Sequence, residues 1–273
     1  MAREDSPYLT IAADLERRIK DGEWPAGGKL PHRVDLARHY EVTRTTIDNA
    51  VGVLEGKGLA WALPRRGTVI RYGMTRQRRP RGNLVKRNSA GDERGYSFPS
   101  ASGTEVWRHH VTPTSGEAPL DDPRLARFLG VPEGTPVFRR HRVTGPATEP
   151  PFQISDSWIH PDVAAAVPEV ATTQSGPVSS WLYYVETKGG HWPLSWMEWH
   201  RARLPSTEEA GELEIPLSVP VLEIVRVGRS GSTGKPVEVT MQVIPSDRVE
   251  TVQVLERDES AQASWPDDTT DAN

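Results

Sequence analysis

Three helix-forming segments followed by two short strands crowd into residues 7–72, and no other feature of the chain constrains its fold so tightly. Ile11, Leu15 and Ile19 recur every four residues among charged neighbours, which predicts an amphipathic helix over 7–21. Gly22 and Pro25 stop it, and Gly27-Gly28 makes a turn. Pro31 suits the first position of a second helix, reaching Tyr40 and burying Val34, Leu36 and Ala37. Thr43 is placed to cap a third helix through Ile47, Ala50, Val51 and Leu54, and Gly58 to close it in a left-handed conformation. Strands are expected at 59–63 and 68–72, joined by the tight turn Arg65-Arg66-Gly67. This is the order of a winged helix-turn-helix; by pattern alone it equally suits a small helical subdomain with no nucleic-acid role.

Charge divides the chain unevenly. Residues 1–82 carry 16 Lys and Arg against 10 Asp and Glu, a net of +6; the remainder carries 17 against 27, a net of −10. Such asymmetry suggests that one half meets a polyanion and the other does something else. Residues 65–91 hold nine Lys or Arg and no acid, and the hydrophobic period is lost beyond Tyr72. Residues 74–100 therefore read as a flexible basic linker. Residues 257–273 are acidic and polar and read as a disordered tail.

From residue 104 strand patterns return, at 105–111, 136–143, 152–159, 194–203, 221–229 and 237–244. Short helices are expected at 123–129, 178–187 and 207–213. Long strands with few short helices predict an antiparallel α+β domain over 101–256. Residues 121–143 (DDPRLARFLGVPEGTPVFRRHRV) and 206–227 (STEEAGELEIPLSVPVLEIVRV) echo each other as helix, Pro-marked loop and strand. A duplication of this kind predicts a pseudo-twofold sheet.

The absence of cysteine excludes a disulfide framework and thiolate metal sites. The longest apolar runs fall far short of the ~18 residues that span a bilayer, and the N-terminus lacks the apolar core of a signal peptide. A cytoplasmic protein with no membrane association is expected.

The run from Tyr8 to Ile70 resembles a GntR-family DNA-binding domain, in its G-x-W-P-x-G-x-K-L-P turn at 22–31, V-T-R-T-T at 42–46, L-E-x-x-G-L at 54–59 and R-G-T at 66–68. The second half resembles the UTRA ligand-binding domain, which has a chorismate-lyase-like fold, in FLGVPEGTPVFRRHRV at 128–143, PPFQISDSWIHPDVA at 150–164 and GKPVEVTMQVIPSDR at 234–248. The combination is similar to the HutC branch of GntR repressors. The resemblance implies a bacterial transcriptional regulator, a winged helix-turn-helix over 1–73, a double-stranded DNA operator with an inverted repeat, a homodimer and a small-molecule effector. It implies no enzymatic activity, cofactor or metal.

In a helix-turn-helix the second helix of the motif enters the major groove with its N-terminal residues at base edges. That end here presents Thr43, Arg44, Thr45 and Thr46. Arg44 suits bidentate recognition of guanine, and the hydroxyls suit phosphate oxygens. Arg65, Arg66 and Gly67 of the wing are placed for the minor groove. The sequence has Val34 and Asp48 where the family usually carries arginine, so Arg33 is the neighbouring substitute for a phosphate contact, Asp48 is an acceptor for cytosine, and an altered operator is expected.

In UTRA domains that bind phosphorylated sugars, arginines on the strand after the first helix hold the anion. Arg142 falls at the first of these positions and Thr144 near the second; Glu238 matches the acidic residue of the last strand. Gln153, Ser155 and Ser157 alternate along one strand face, which lines a pocket if inward and meets solvent if outward. Trp196, Glu198 and His200 share a face of another strand. Trp196 and Glu198 could offer a ligand an aromatic wall and a carboxylate, while core packing is the favoured single reading of the tryptophans. Glu198 and His200 lack an evident third metal ligand, and His109 and His110 point to opposite faces. Two other functions remain open on these residues: a constitutive DNA-binding repressor whose second half only dimerises, and a lyase-like enzyme.

Overall fold

The computed structural model of the protein describes residues 6–63, 66–71, 73, 76–80, 85–88, 94–98, 107–172, 180–253 and 255. Three helices open it: α1 (Pro7–Lys20), α2 (Arg33–His39) and α3 (Arg44–Gly56). The four-residue spacing of Ile11, Leu15 and Ile19 turns them onto Ile47, Ala50, Val51 and Leu54 of α3 in one buried cluster. Each such Leu or Ile stabilises the unit by about 1.5–3 kcal/mol relative to exposure. Thr43 caps α3 by accepting from the backbone N–H of Thr46 at 3.3 Å. Pro31 lies before α2, whose N-cap is His32. Val34 is not buried as expected but 55% exposed, because α2 has fewer than two full turns and inserts only Leu36 into the core.

A hairpin follows, β1 (Ala60–Leu63) and β2 (Gly67–Ile70), with Gly67 at φ +88° closing the wing. The turn before α2 lies along β2 as a third extended segment. Gly27 N–H donates to Ile70 O at 3.0 Å, Ile70 N–H to Gly28 O at 2.8 Å and Leu30 N–H to Thr68 O at 2.9 Å. A Cβ on Gly28 would sit 2.8 Å from Pro25 O, and Gly27 has φ +77°, so both glycines are required there.

The stretch expected as a flexible linker carries three short strands in its described part: β3 (Gln77–Pro80), β4 (Lys86–Asn88) and β5 (Gly95–Ser97). β4 and β5 pair with each other. The basic charge of the region masks three apolar anchors, Val85, Tyr96 and Phe98, which pack on the C-terminal domain.

That domain comprises β6 (Trp107–His109), β7 (Thr114–Leu120), α4 (Pro123–Leu129), β8 (Thr135–Pro146), β9 (Gln153–Ile159), α5 (Pro161–Ala166), α6 (Glu169–Thr172), α7 (Trp181–Thr187), β10 (Leu194–Arg203), α8 (Thr207–Leu213), β11 (Val221–Ser230), β12 (Pro236–Pro245), a 3-10 turn (Ser246–Arg248) and β13 (Val249–Val252). Its seven-stranded antiparallel sheet runs β10-β11-β12-β9-β8-β6, with β7 also on β8. β13 pairs in parallel with β3 of the connector. β7 was not anticipated; it lies on the sheet edge and contains Gly116 and Pro119, which suppress the strand pattern. The helices α5 and α6 were likewise not anticipated, and residues 257–273 lie outside the described residues.

The echo at 121–143 and 206–227 corresponds to α4-β8 and α8-β11. With β7 and β9 on one side and β10 and β12 on the other, the two halves are arranged about the β9–β12 pair. α4 and α8 cover one face through Leu125, Leu129, Ala210 and Leu213; α5 and α7 cover part of the other through Val163, Trp181, Leu182 and Val185. Among the described residues no helix is long and apolar enough to cross a membrane.

The wing is joined to this domain. Trp61 of β1 is buried with Val143, Ile154, Leu213, Ile215 and Val219. The Arg71 guanidinium lies 4.3 Å from the centre of a Trp61 ring and its Nη2 donates to both carboxylate oxygens of Asp247, at 2.9 and 3.1 Å. Arg248, 1% exposed, donates to Pro150 O at 2.9 Å and Pro151 O at 3.2 Å, fixing the loop against which Gly27 rests.

Candidate DNA interface and ligand-binding face

The start of α3 presents Thr43, Arg44 and Thr45 to solvent, with Thr46 half-buried behind them. The Oγ1 atoms of Thr43 and Thr46 are 3.0 Å apart, so one hydroxyl of this pair is occupied by the other. The Arg44 side chain is 68% exposed. Its Nε lies 3.9 Å from one oxygen of Asp48, while Arg33 Nε lies 2.9 Å from the other. Asp48 thus sits between arginines from two helices, and its charge is offset locally. In the wing, Arg66 is ion-paired with Glu214, the left-handed residue that closes α8. Gly67 stands in open space, and Arg65 lies outside the described residues.

The second group of candidate residues assembles on one face of the sheet. The strand register and the alternation along each strand put Arg142, Gln153, Ser155, Ser157 and Glu238 on the same side. Trp196 and Glu198 of β10 face that side too, with Trp196 packed among the α5–α7 cluster. Ser155, Ser157, Thr240 and Glu238 are almost fully buried, so this polar face is interior. Ser157 Oγ is 2.8 Å from Thr240 Oγ1, which donates to Glu238 at 2.6 Å. Arg142 Nη2 donates to Ser155 Oγ at 3.4 Å. A Cβ on Gly228 would meet Glu238 Cγ at 2.9 Å and Trp196 Nε1 at 3.2 Å, so glycine there lets the carboxylate and the indole meet over the backbone.

Two further arginines share this face. Arg140 stands two residues before Arg142 and donates to Val170 O at 2.6 Å. Arg226 lies 3.4 Å from Glu238 Oε1, and the ring of Phe98 from the connector covers its guanidinium at 3.4 Å. Arg226 was not among the sequence candidates. The internal echo carried the signal: aligning Val143 with Val227 superimposes Arg142 on Arg226, and the register then matches Ser155 with Thr240 and Gln153 with Glu238.

Electrostatics follow from burial and this crowding. Burial, then the proximity of Arg140 and Arg226, pulls the Arg142 pKa down to about 10. Burial also lowers Arg140. Burial raises Glu238, against the attraction of Arg226. Three polar atoms near this face, Arg142 Nε, Thr144 Oγ1 and Trp196 Nε1, are buried without a hydrogen-bond partner among the described residues. Buried polar atoms left unpaired cost stability and point to an unfilled partner. Glu198 Oε2 and His200 Nε2 are 3.3 Å apart.

The opposite face carries a cluster that the sequence did not suggest. His141 Nδ1 lies 3.0 Å from Asp156 Oδ1 and its Nε2 lies 3.0 Å from Glu212 of α8. The hydrogen bond to Asp156 raises the His141 pKa, with burial opposing it.

The model of the gntR family of bacterial regulatory proteins matches residues 7–70, and that of the UTRA domain matches residues 114–250. An uncharacterised HTH-type transcriptional regulator of Streptomyces coelicolor is 27% identical over 84% of this chain and 86% of its own length. The histidine utilization repressor of Klebsiella aerogenes is 24% identical over 66% of this chain and 72% of its own. A crystal structure described as that of a GntR-family transcriptional regulator superposes with a TM-score of 0.51 at 24% identity, covering 93% of this chain and 98% of that one, a likeness of fold. These families are regulators rather than enzymes, and the lyase-like reading falls away. With the DNA-binding unit and the effector-binding unit both matched, the chain belongs to the GntR family of bacterial transcriptional regulators that carry a UTRA domain.

Proposed function

We propose that this regulator is a repressor that binds an inverted-repeat operator as a homodimer in the cytoplasm and releases it when a small anionic effector occupies the inner face of its C-terminal sheet. Arg44 reads a guanine in the major groove, Thr43, Thr45 and Thr46 hold phosphates, and Arg33 adds a backbone contact beside the groove. Arg66 and Gly67, with Arg65, approach the minor groove. Two recognition helices in a dimer would address half-sites about one helical turn apart.

The observation that carries the effector reading is the set of buried cationic and unpaired donors on one face. Arg142 and Arg226 lie there beside the buried carboxylate of Glu238, with Arg140 on the same strand as Arg142, and among the described residues Arg142 Nε, Thr144 Oγ1 and Trp196 Nε1 have no hydrogen-bond partner. An anion among the arginines would meet those donors, and Gln153, Ser155, Ser157 and Glu198 would fix its orientation. Effector and operator are then linked by a coupling free energy, typically ~1–3 kcal/mol.

The test is a footprint and gel shift of the full chain on its own promoter and the adjacent intergenic DNA, repeated with Arg44→Ala. The expected result is a protected inverted repeat that disappears in the variant. Anionic metabolites are then screened for release of the DNA, with Arg142→Ala as the unresponsive control. Release of Arg142→Ala by the same metabolite would remove the sheet face from the reading, and failure of every metabolite to change affinity would favour a constitutive repressor.

A further inference from the structure

A cleft of ≈ 470 Å³ opens between the connector and α7, and none of the proposed effector residues lines it. One wall is the β4–β5 hairpin, with Arg87 and Arg94; the other is Tyr183 of α7 and Trp192 before β10. The Arg87 guanidinium lies 5.4 Å from a Trp192 ring centre. That of Arg94 lies 5.7 Å from the Tyr183 ring centre and donates to its hydroxyl at 3.2 Å. The floor is Tyr96, whose hydroxyl donates to Glu186. Glu186 also accepts from Leu194 N–H at 2.7 Å, so both its oxygens are directed into the fold. Among the described residues neither Arg87 nor Arg94 meets a carboxylate. Trp192 is 58% exposed.

We infer that this cleft is a second ligand site, separate from the sheet face, and that it takes a flat aromatic or heteroaromatic ring bearing one carboxylate. Its volume is within the range of small-molecule sites. Tyr96, Tyr183 and Trp192 offer ring faces or edges for stacking, and planar guanidinium groups on the rim suit both a π surface and a carboxylate. Among the described lining residues Arg87 and Arg94 stand against Glu186, a net of one positive unit, which matches a monoanion rather than a phosphorylated ligand. The location has a consequence for regulation. The hairpin belongs to the segment that leads to the wing, whereas α7 and Trp192 belong to the C-terminal domain, so a ligand seated between them fastens the connector to that domain. The site stands on residues independent of the sheet-face reading.

The experiment is calorimetric titration of the full-length protein with 1-naphthoate and its neutral counterpart 1-naphthalenemethanol. The expected result is submillimolar binding of naphthoate and at least about tenfold weaker binding of the alcohol. Arg94→Ala and Trp192→Ala, both at exposed positions, should each weaken naphthoate about tenfold, while Arg142→Ala on the sheet face leaves it unchanged. Arg94→Lys, which keeps the charge without the planar fork, should lose most of the same affinity. Absence of naphthoate binding at millimolar concentration would overturn the proposal. So would equal binding of the alcohol, or loss in Arg142→Ala with the cleft variants unaffected.

Discussion

Arg66, at the tip of the wing, is ion-paired with Glu214, the residue that closes α8 in the C-terminal domain. The side chain proposed for the minor groove is therefore held by the sensing domain, and the two must part for Arg66 to reach DNA. Glu214→Gln keeps the size of the side chain and removes the charge. Exposed pairs contribute ~0–1 kcal/mol, so the variant should bind operator up to about fivefold more tightly. Fluorescence anisotropy on a labelled operator fragment measures this. Unchanged or weaker binding by Glu214→Gln would show that the pair does not compete with DNA, and Arg66→Ala should bind more weakly whichever residue stands at 214.

Asp48 lies where a negative charge would repel a phosphate, yet Arg33 and Arg44 flank it at 2.9 and 3.9 Å. Asp48→Asn releases both arginines. Non-specific DNA affinity should rise, because the phosphate contact of Arg33 no longer competes with its ion pair to Asp48, and unchanged affinity in a filter-binding titration would show that the pair does not compete. Arg44→Ala should reduce specific binding more than non-specific binding. Equal losses on operator and random DNA would place Arg44 on the backbone rather than at a base.

Arg226 is the partner of the fully buried Glu238. Removing one member of a buried pair costs about 3–5 kcal/mol. Glu238 already has a pKa raised by burial, and losing Arg226 raises it further. A carboxylate whose folded pKa lies above its unfolded value destabilises progressively as pH rises past the unfolded value. Urea unfolding of Arg226→Ala should therefore show a larger loss at pH 8 than at pH 5, and adding Glu238→Gln should abolish that difference. A pH-independent loss would mean that Glu238 is not the group left without its counter-charge.

His141 also contributes less as pH rises, but what is lost is a stabilisation, so here the substitution costs most at low pH. Asp156 Oδ1 and Glu212 Oε1 each lie 3.0 Å from one of its ring nitrogens, while Arg139, 2.7 Å from Asp156, and Glu208 supply the remaining nearby charge. Its folded pKa is raised above the unfolded value of about 6.5. The stabilisation is complete below the unfolded value and disappears as pH rises through the folded one. Scanning calorimetry of wild type against His141→Gln should give a larger difference in Tm at pH 5.5 than at pH 8. An equal difference at both would show that the imidazole does not change protonation on folding.

Local periodicity carried the helices and hairpin of the DNA-binding unit and six strands of the sheet, because each of these segments buries one face and alternates accordingly. α4, α8 and β10 end at the predicted residues, where Pro, Asp and Ser supply local stops and caps. The connector misled because seven basic residues outweigh Val85, Tyr96 and Phe98 in composition, although those three decide its packing. Val34 misled because a helix as short as α2 buries too few positions for its apolar residues to be assigned a face. The face carrying Arg142, Ser155 and Glu238 was half legible: alternation groups residues on a strand but is silent about which side the helices cover.

What the sequence determined by itself is the identity of the two units and the chemistry at the head of α3, since caps, turn glycines and apolar spacing act within a few residues. Tertiary structure alone decided three things: that Phe98 of the connector covers Arg226, that Asp48 lies between Arg33 and Arg44, and that the wing leans on the C-terminal domain through Trp61, Arg66 and Arg71. Each joins side chains from separate elements, some far apart in the chain. Burial and low dielectric set the energies of such contacts, and only the folded chain creates those conditions.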